Sequence, residues 1–288
     1  MEYSFAFSAI GTDWTVETAA ALVPAVRTEI LELVADYDAV YSRFRPDSGV
    51  ARLAAAGGRL DLPDHGAALG RLYSTLYELS DGAVSPLVGD VLADQGYDAA
   101  YSLTPKSPTA PARPWDRDSL RWEGNVLTAP RPITVDVGAA GKGQLVDLVA
   151  SVLDRFGVQY YLVDASGDMR HRGRRPLTVA LEHPYDPTRA IGLVPLSEGA
   201  LCASASNRRA WADGLHHVVD ARTGCCVQTV VATWVLAPDA MTADALATAL
   251  FLMEPEHLAS TFDFGYVQVF SDGHARFSTA LDGALFPP

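Results

Sequence analysis

The sequence predicts an α+β fold, one domain over residues 1–288 in which a mixed β-sheet carries flanking helices. Short runs of alternating or β-branched residues recur along the whole chain, as strands require. Between them lie segments with apolar residues at helical spacing, such as Val26, Ile30, Leu33, Tyr37 and Val40. The two kinds of segment are interspersed without regular strand–helix alternation, which points to α+β rather than to a doubly wound parallel sheet.

In chain order, Tyr3 to Phe7 alternate like a strand, and Gly11, Thr12 and Asp13 turn the chain before Trp14. Residues 23–41 form an amphipathic helix, broken by SRFRPDS at 42–48. Leu69, Leu72, Leu76 and Leu79 mark a second helix that ends at Asp81-Gly82. Gly82 to Gly89 form a loop of small residues around Pro86. Prolines at 105, 108, 111 and 114 make residues 104–114 an exposed loop. Residues 120–128 read as a hairpin, with turn residues between two apolar ends. Later β runs lie at 177–181, 191–196 and 229–236, and a terminal hairpin spans 266–279 around SDGH at 271–274.

The stretch ITVDVGAAGKGQLVDLVASVLDRF at 133–156 organises the middle of the chain. Ile133, Val135 and Val137 read as a buried strand, with Asp136 at its end. Gly138, Gly141 and Gly143 then allow close backbone approach or positive φ. Leu145, Leu148, Val149, Val152 and Leu153 recur at helical spacing, Gly157 is a C-cap, and Tyr160 to Val163 begin another strand. Such a unit points backbone N–H groups and a helix N-terminus at one spot, which suits an anion; a tight turn with close helix packing is the alternative reading of the glycines. It is not a P-loop, because Gly143 rather than Ser or Thr follows Lys142.

Composition narrows the function classes. The chain is 49% hydrophobic with a net charge of −13 and no basic stripe, which argues against nucleic acid and anionic membranes. No apolar run approaches a membrane span. The three cysteines, Cys202, Cys225 and Cys226, include no CxxC pair, so zinc and thioredoxin chemistry fall away and buried thiols are expected.

Two further constellations carry chemistry. MTADALATALFL at 241–252 is a strong helix former with Thr242 as its expected N-cap and Asp244 in its first turn. Asp244 and Thr248, one turn apart, share a face. They are either a helix-dipole Asp and a Thr bonded to its i−4 carbonyl, or two hard oxygen ligands for Mg²⁺. HHVVDARTG at 216–224 delivers His216 and His217 on a short strand and turns at Asp220. His217 and Asp220 suit acid–base work; a surface His pair and an Asx turn are the alternative. The other histidines, at 65, 171, 183, 257 and 274, read as loop or surface residues.

Taken in order, IGTDW at 10–14, SRFRPDS at 42–48, DGAVSPLVG at 81–89, VDVGAAGKG at 135–143, the HHVVDARTG run and MTADALATAL at 241–250 resemble the ApbE family of FAD:protein FMN transferases over nearly the whole chain. The resemblance implies FAD in a cleft with Mg²⁺ at its pyrophosphate. A Thr or Ser hydroxyl of an acceptor protein attacks the FMN-side phosphorus, and AMP leaves. By motif, the Ala139 carbonyl and the Asp244 and Thr248 side chains would hold the metal. Ile10, Phe44 and the Ala83-Val84-Ser85 backbone would line the FAD cleft, and flavin fluorescence should be quenched on binding if the isoalloxazine stacks on an aromatic residue such as Phe44. Asp136 would contact the flavin nucleotide, and His217 would act as base or orienting group for the acceptor. Lys142 would neutralise phosphate or pair with a nearby acid. The family's usual Met, Asp, Thr-Ser-Gly and Pro are replaced here by Ile10, Ser85, Ala203-Ser204-Ala205 and Ala221. Two further readings share the site: an Mg²⁺-dependent FAD pyrophosphatase, and a silent FAD-binding protein. The start of the chain shows no basic n-region, apolar h-region or lipidation cysteine, which leads to the expectation of a cytoplasmic protein.

Overall fold

A computed structural model describes residues 2–106, 108–212 and 214–286. Ser107, in the proline-rich stretch, lies outside the described residues. The α+β fold is realised around an eight-stranded sheet: β1 (Tyr3–Ala9), β2 (Thr12–Thr18), β3 (Tyr161–Asp164), β4 (Met169–Arg172), β5 (Gly199–Ala205), β6 (Val230–Ala237), β7 (Gly265–Phe270) and β8 (Ala275–Phe277). Spatial order equals chain order, and each pairing is antiparallel. The helices are α1 (Pro24–Tyr41), α2 (Gly49–Ala56), α3 (Gly66–Leu79), α4 (Gly89–Asp94), α5 (Gly141–Arg155), α6 (Ala240–Ala249) and α7 (Pro255–Ala259). A three-stranded sheet joins Gly58–Asp61, Val126–Ala129 and Arg121–Glu123.

The sheet buries both faces, and period-two alternation decides which residue goes where. Trp14, Val16, Tyr161, Val163, Cys202 and Val235 join the larger core beneath α1, α3, α5 and α6. Leu201, Ala232, Trp234, Val267 and Val269 pack the opposite side, under a hairpin of Leu177–His183 and Asp186–Leu196. In α1 the buried stripe is Val26, Ile30, Val34, Tyr37 and Tyr41, one position round from the expected Leu33 and Val40.

The structure corrects several expectations. Residues 133–137 are extended but form no strand. Ile133, Val135 and Val137 are buried as their alternation demands, yet the backbone meets only isolated partners, Leu53 O at 3.3 Å and Pro86 O at 2.8 Å. Pro86 has no N–H to return, so no ladder builds. Asp239, not Thr242, is the N-cap of α6: its Oδ1 accepts the Thr242 N–H at 2.8 Å. Asp244 is therefore in the second turn. His171 is buried on β4, with Nδ1 3.0 Å from Ser197 O. Cys202 is buried, but Cys225 is exposed. Strand β5 and helices α2, α4 and α7 have no sequence counterpart above; β5 is built largely of Gly, Ala, Cys and Ser, which carry little strand signal.

The glycines after Asp136 serve close packing, since none of Gly138, Gly141 and Gly143 has positive φ. A Cβ on Gly143 would stand 2.1 Å from the Ala240 carbonyl oxygen and 2.7 Å from the Asp244 Cβ. Gly143 thus sets the distance between α5 and α6. We expect Gly143→Ala to cost about 1–3 kcal/mol by overpacking and to move Asp244. A thermal melt checks the first part, and an unchanged Tm contradicts it.

Candidate functional site

One cleft of about 800 Å³ brings together Ile10, Phe44, Ala83, Val84, Ser85, Asp136, Ala139, Lys142, His217, Asp244 and Thr248. That is a small-molecule-sized cavity. Of the residues named from the sequence for chemistry, Asp220 alone stands outside this lining; the β1–β2 turn, the segment after α1, the turn before Pro86, the glycine loop, β5 and its exit, and one face of α6 form the walls.

Helix α6 supplies the oxygen-rich end. Its N-terminus is clamped by α5, because Asp147 accepts the Ala240 N–H at 3.0 Å and the Met241 N–H at 2.8 Å. Burial pushes the Asp147 carboxyl up to about 6, against these two donors and Arg170. So anchored, α6 directs Asp244 and Thr248 from one face into the cleft. Asp244 Oδ2 accepts the Gly143 N–H at 2.9 Å, and Thr248 Oγ1 lies 3.3 Å from Ser204 Oγ on β5. Burial drives the Asp244 carboxyl well above the usual carboxylate range, with Asp168 adding to the rise and Lys142 opposing it.

Lys142 resolves its alternatives toward an acid. Its Nζ stands 2.5 Å from Oδ2 of fully buried Asp168 and donates to Ala165 O at 3.2 Å. Burial lowers the Lys142 pKa, but Asp168 and Asp244 outweigh it and raise the value overall. Asp168 has no well-directed hydrogen bond to either oxygen, so the ammonium is its charge partner. With both carboxylates ionised, two negative charges face one positive charge in a buried pocket, a balance that favours a cation. The donors available, a carboxylate, a hydroxyl and the Ala139 carbonyl, are hard oxygens. Among the described residues no three His, Cys, Asp or Glu side chains converge as a metal cage. Mg²⁺ suits this set, since it binds through few protein oxygens and completes its shell with water and phosphate.

The two histidines separate as adjacent residues on an extended segment should. His216 is buried, with Nε2 2.7 Å from Val227 O. His217 faces the cleft, and its Nδ1 is buried without a partner among the described residues. Burial, helped by the Arg209 guanidinium and by His216, pushes the His217 pKa down to about 3; Asp136 acts the other way. The imidazole is therefore neutral, the proton-accepting form. Asp220 takes the Asx alternative: its Oδ1 accepts the Arg222 N–H at 2.9 Å, and Arg222 pairs with it at 2.6 Å. It is absent from the cleft wall. Gly224, at φ 72°, ends this turn where a Cβ would meet the Ala110 carbonyl oxygen at 2.0 Å, so the proline-rich stretch packs directly on it.

An aromatic wall closes the other end. Phe44 stacks on Tyr101 at 4.8 Å, and Tyr97 stacks on Trp211 at 5.3 Å. The Arg43 guanidinium lies 4.2 Å from the Phe44 centroid. Arg43 and Tyr101 thus both stand against the Phe44 ring, which lines the cleft. Tyr101, half-exposed, offers an outer face and reaches across toward Gly11. Ile10 and Gly11 have φ of 45° and 76° in the two-residue turn between paired Ala9 and Thr12. A β-branched residue is strained there, and the Ala9–Thr12 pairing holds Ile10 at the cleft mouth against that strain.

Arg43, Tyr97, Tyr101, Asp168, Ser204 and Trp211 were not singled out by sequence reasoning. Arg43 and Ser204 lie inside SRFRPDS and Ala203-Ser204-Ala205, where position alone was the available signal. Tyr97 and Tyr101 come from a loop, and Trp211 from a two-residue strand, too short for a period to read.

Comparisons with known proteins follow this geometry. The model of the ApbE family matches residues 10–268. A relative from Vibrio cholerae named FAD:protein FMN transferase is 31% identical over 192 residues, 62% of this chain and 58% of its own length. A relative of the same name from Haemophilus influenzae is 27% identical over 248 residues, 78% of this chain and 71% of its own. The chain thus spans less than two thirds of the Vibrio relative, and only 37% of the Escherichia coli K12 relative of that name. Among solved structures, the ApbE protein of Thermotoga maritima aligns with TM-score 0.82 at 21% identity, covering 99% of both chains. The Vibrio cholerae flavin transferase ApbE aligns with TM-score 0.78 at 21% identity, covering 98% of this chain and 99% of its own.

Proposed function

The chain belongs to the ApbE family, and from that premise we propose that it is an FAD:protein FMN transferase acting as one domain. The observation that carries this reading is the convergence of Asp244, Thr248, Ala139 and His217 on one dinucleotide-sized cleft. The Asp244 carboxylate, the Thr248 hydroxyl and the Ala139 carbonyl would hold Mg²⁺. That ion, when bound, neutralises the pyrophosphate and polarises its phosphoryl oxygens.

The chain's own residues do the rest. The α5 N-terminus presents N–H groups toward phosphate oxygens, and Gly143 keeps one of them on Asp244 so that the carboxylate stays aimed. Neutral His217 takes the proton of an acceptor Thr or Ser hydroxyl as its oxygen bonds to the FMN-side phosphorus. The bond from that phosphorus to the bridging oxygen breaks, and AMP leaves with the electron pair. FMN ends esterified to the acceptor protein. Phosphoryl transfer needs positioning and charge neutralisation more than a covalent enzyme nucleophile, and the cleft provides both. The incoming anionic dinucleotide raises the His217 pKa from its low resting value, which strengthens it as a base when substrate is in place. Among the described residues no helix is long and apolar enough to cross a membrane.

Titration tests the binding half of this reading. FAD should bind well ahead of FMN, because the cleft has wall segments beyond the metal end to hold the adenosine half. Flavin fluorescence and calorimetry read it; equal affinity for FMN and FAD contradicts it.

A further inference from the structure

Arg43 has donor capacity that the protein leaves unused. It follows α1 in the cleft wall, with its side chain only 5% exposed. Its Nε donates to Asp136 Oδ2 at 2.5 Å and its Nη1 to Tyr97 O at 2.6 Å. Its Nη2 is buried with no hydrogen-bond partner among the described residues. A buried, unpaired guanidinium N–H is costly unless a ligand accepts from it.

The surroundings decide the acceptor. The guanidinium lies 4.2 Å from the Phe44 centroid and 4.8 Å from the Tyr97 centroid, so its plane is framed by aromatic rings. Asp136 already neutralises it, and both Asp136 oxygens are occupied, the second by the Gly138 N–H at 2.7 Å. A phosphate placed here would stand beside that carboxylate and be repelled, while Lys142 and the α5 N-terminus offer it a better place. A neutral carbonyl on a planar ring meets no such repulsion.

We propose that Arg43 reads the flavin ring, its Nη2 donating to a carbonyl oxygen of the pyrimidine part of the isoalloxazine. This rests on the FAD reading above and adds to it the residue that distinguishes the flavin end. Asp136, held by Arg43 and Gly138, orients the guanidinium rather than the ligand.

The test compares wild type with Arg43→Lys, which keeps the charge but has no second arm. Affinities are measured for FAD, riboflavin and ADP, with circular dichroism and Tm as fold controls. The expected result is a loss of about tenfold for FAD and riboflavin, the scale of one charge-assisted hydrogen bond, with ADP unchanged. Equal loss for all three ligands, or no loss for FAD, overturns the proposal. Wild type should also bind FAD more tightly than at least one of its 2-thio and 4-thio ring analogues, since sulfur accepts hydrogen bonds poorly. This arm needs no variant, and equal binding of both analogues and FAD overturns the proposal. Wild type that binds ADP but neither flavin overturns the FAD reading, and the ring contact with it.

Discussion

Asp244→Ala will reduce Mg²⁺-dependent FAD turnover to background while leaving the protein folded. The carboxylate is the anionic member of the donor set, and a hydroxyl and a carbonyl alone cannot hold Mg²⁺ against water. The fold survives for an electrostatic reason. Asp244 is buried and pushed far above its ordinary pKa by that burial and by Asp168. Removing it leaves Lys142 and Asp168 as a matched pair at 2.5 Å. Its one lost bond is that from the Gly143 N–H. Asp244→Asn isolates the charge, because the amide oxygen still accepts from Gly143. Both variants should melt close to wild type and bind Mg²⁺ poorly in the presence of ADP. Wild-type FAD cleavage by either one removes Asp244 from the metal site.

His217→Ala will cut transfer by about 10²–10⁴-fold, the usual worth of a positioned acid–base group, with FAD affinity nearly unchanged. His216→Ala will behave differently. His216 is a buried strut, bonded to Val227 O at 2.7 Å and accepting the Val218 N–H at 3.3 Å. Its loss should lower Tm more than it lowers rate per folded molecule. The two variants also differ in acid. The pKa of His217 is pushed down to about 3 in the folded protein from its ordinary 6.5. A depressed pKa means that its contribution to stability is present above the unfolded value and is lost as pH falls through the folded one. Wild type should therefore lose stability between about pH 6.5 and pH 3 in part through this histidine, and His217→Ala should show a shallower decline over that window. Single-turnover rates and melts across pH read both effects; equal rate losses for the two histidines sink the assignment of His217 as base.

Much of the site was legible because its signals are local. The one-turn spacing of Asp244 and Thr248 survives any error in the helix start, so misplacing the cap at Thr242 did not move them off one face. Alternation within HH put one histidine inward and one in the cleft without knowledge of the fold. The glycines signalled a close approach, although Gly143 approaches Ala240 O rather than a ligand. What stayed hidden depends on distant partners. The alternation of Ile133, Val135 and Val137 reports burial, and burial alone does not say whether a ladder partner exists. Strand β5 escaped because Ala and Ser carry no strand preference, though it places Ser204 against Thr248. The contact of Phe44 with Tyr101, brought in by a loop with φ of 49°, could not be read from the sequence.

The most direct measurement is intact mass of an acceptor flavoprotein bearing a reactive Thr or Ser, after incubation with this protein, FAD and Mg²⁺. The account predicts a gain equal to one FMN phosphoester on the acceptor, one AMP released per gain, and neither with Asp244→Ala. AMP and FMN released in solution with the acceptor mass unchanged would contradict transfer and mark the site as a pyrophosphatase. Bound FAD that stays whole would contradict catalysis altogether.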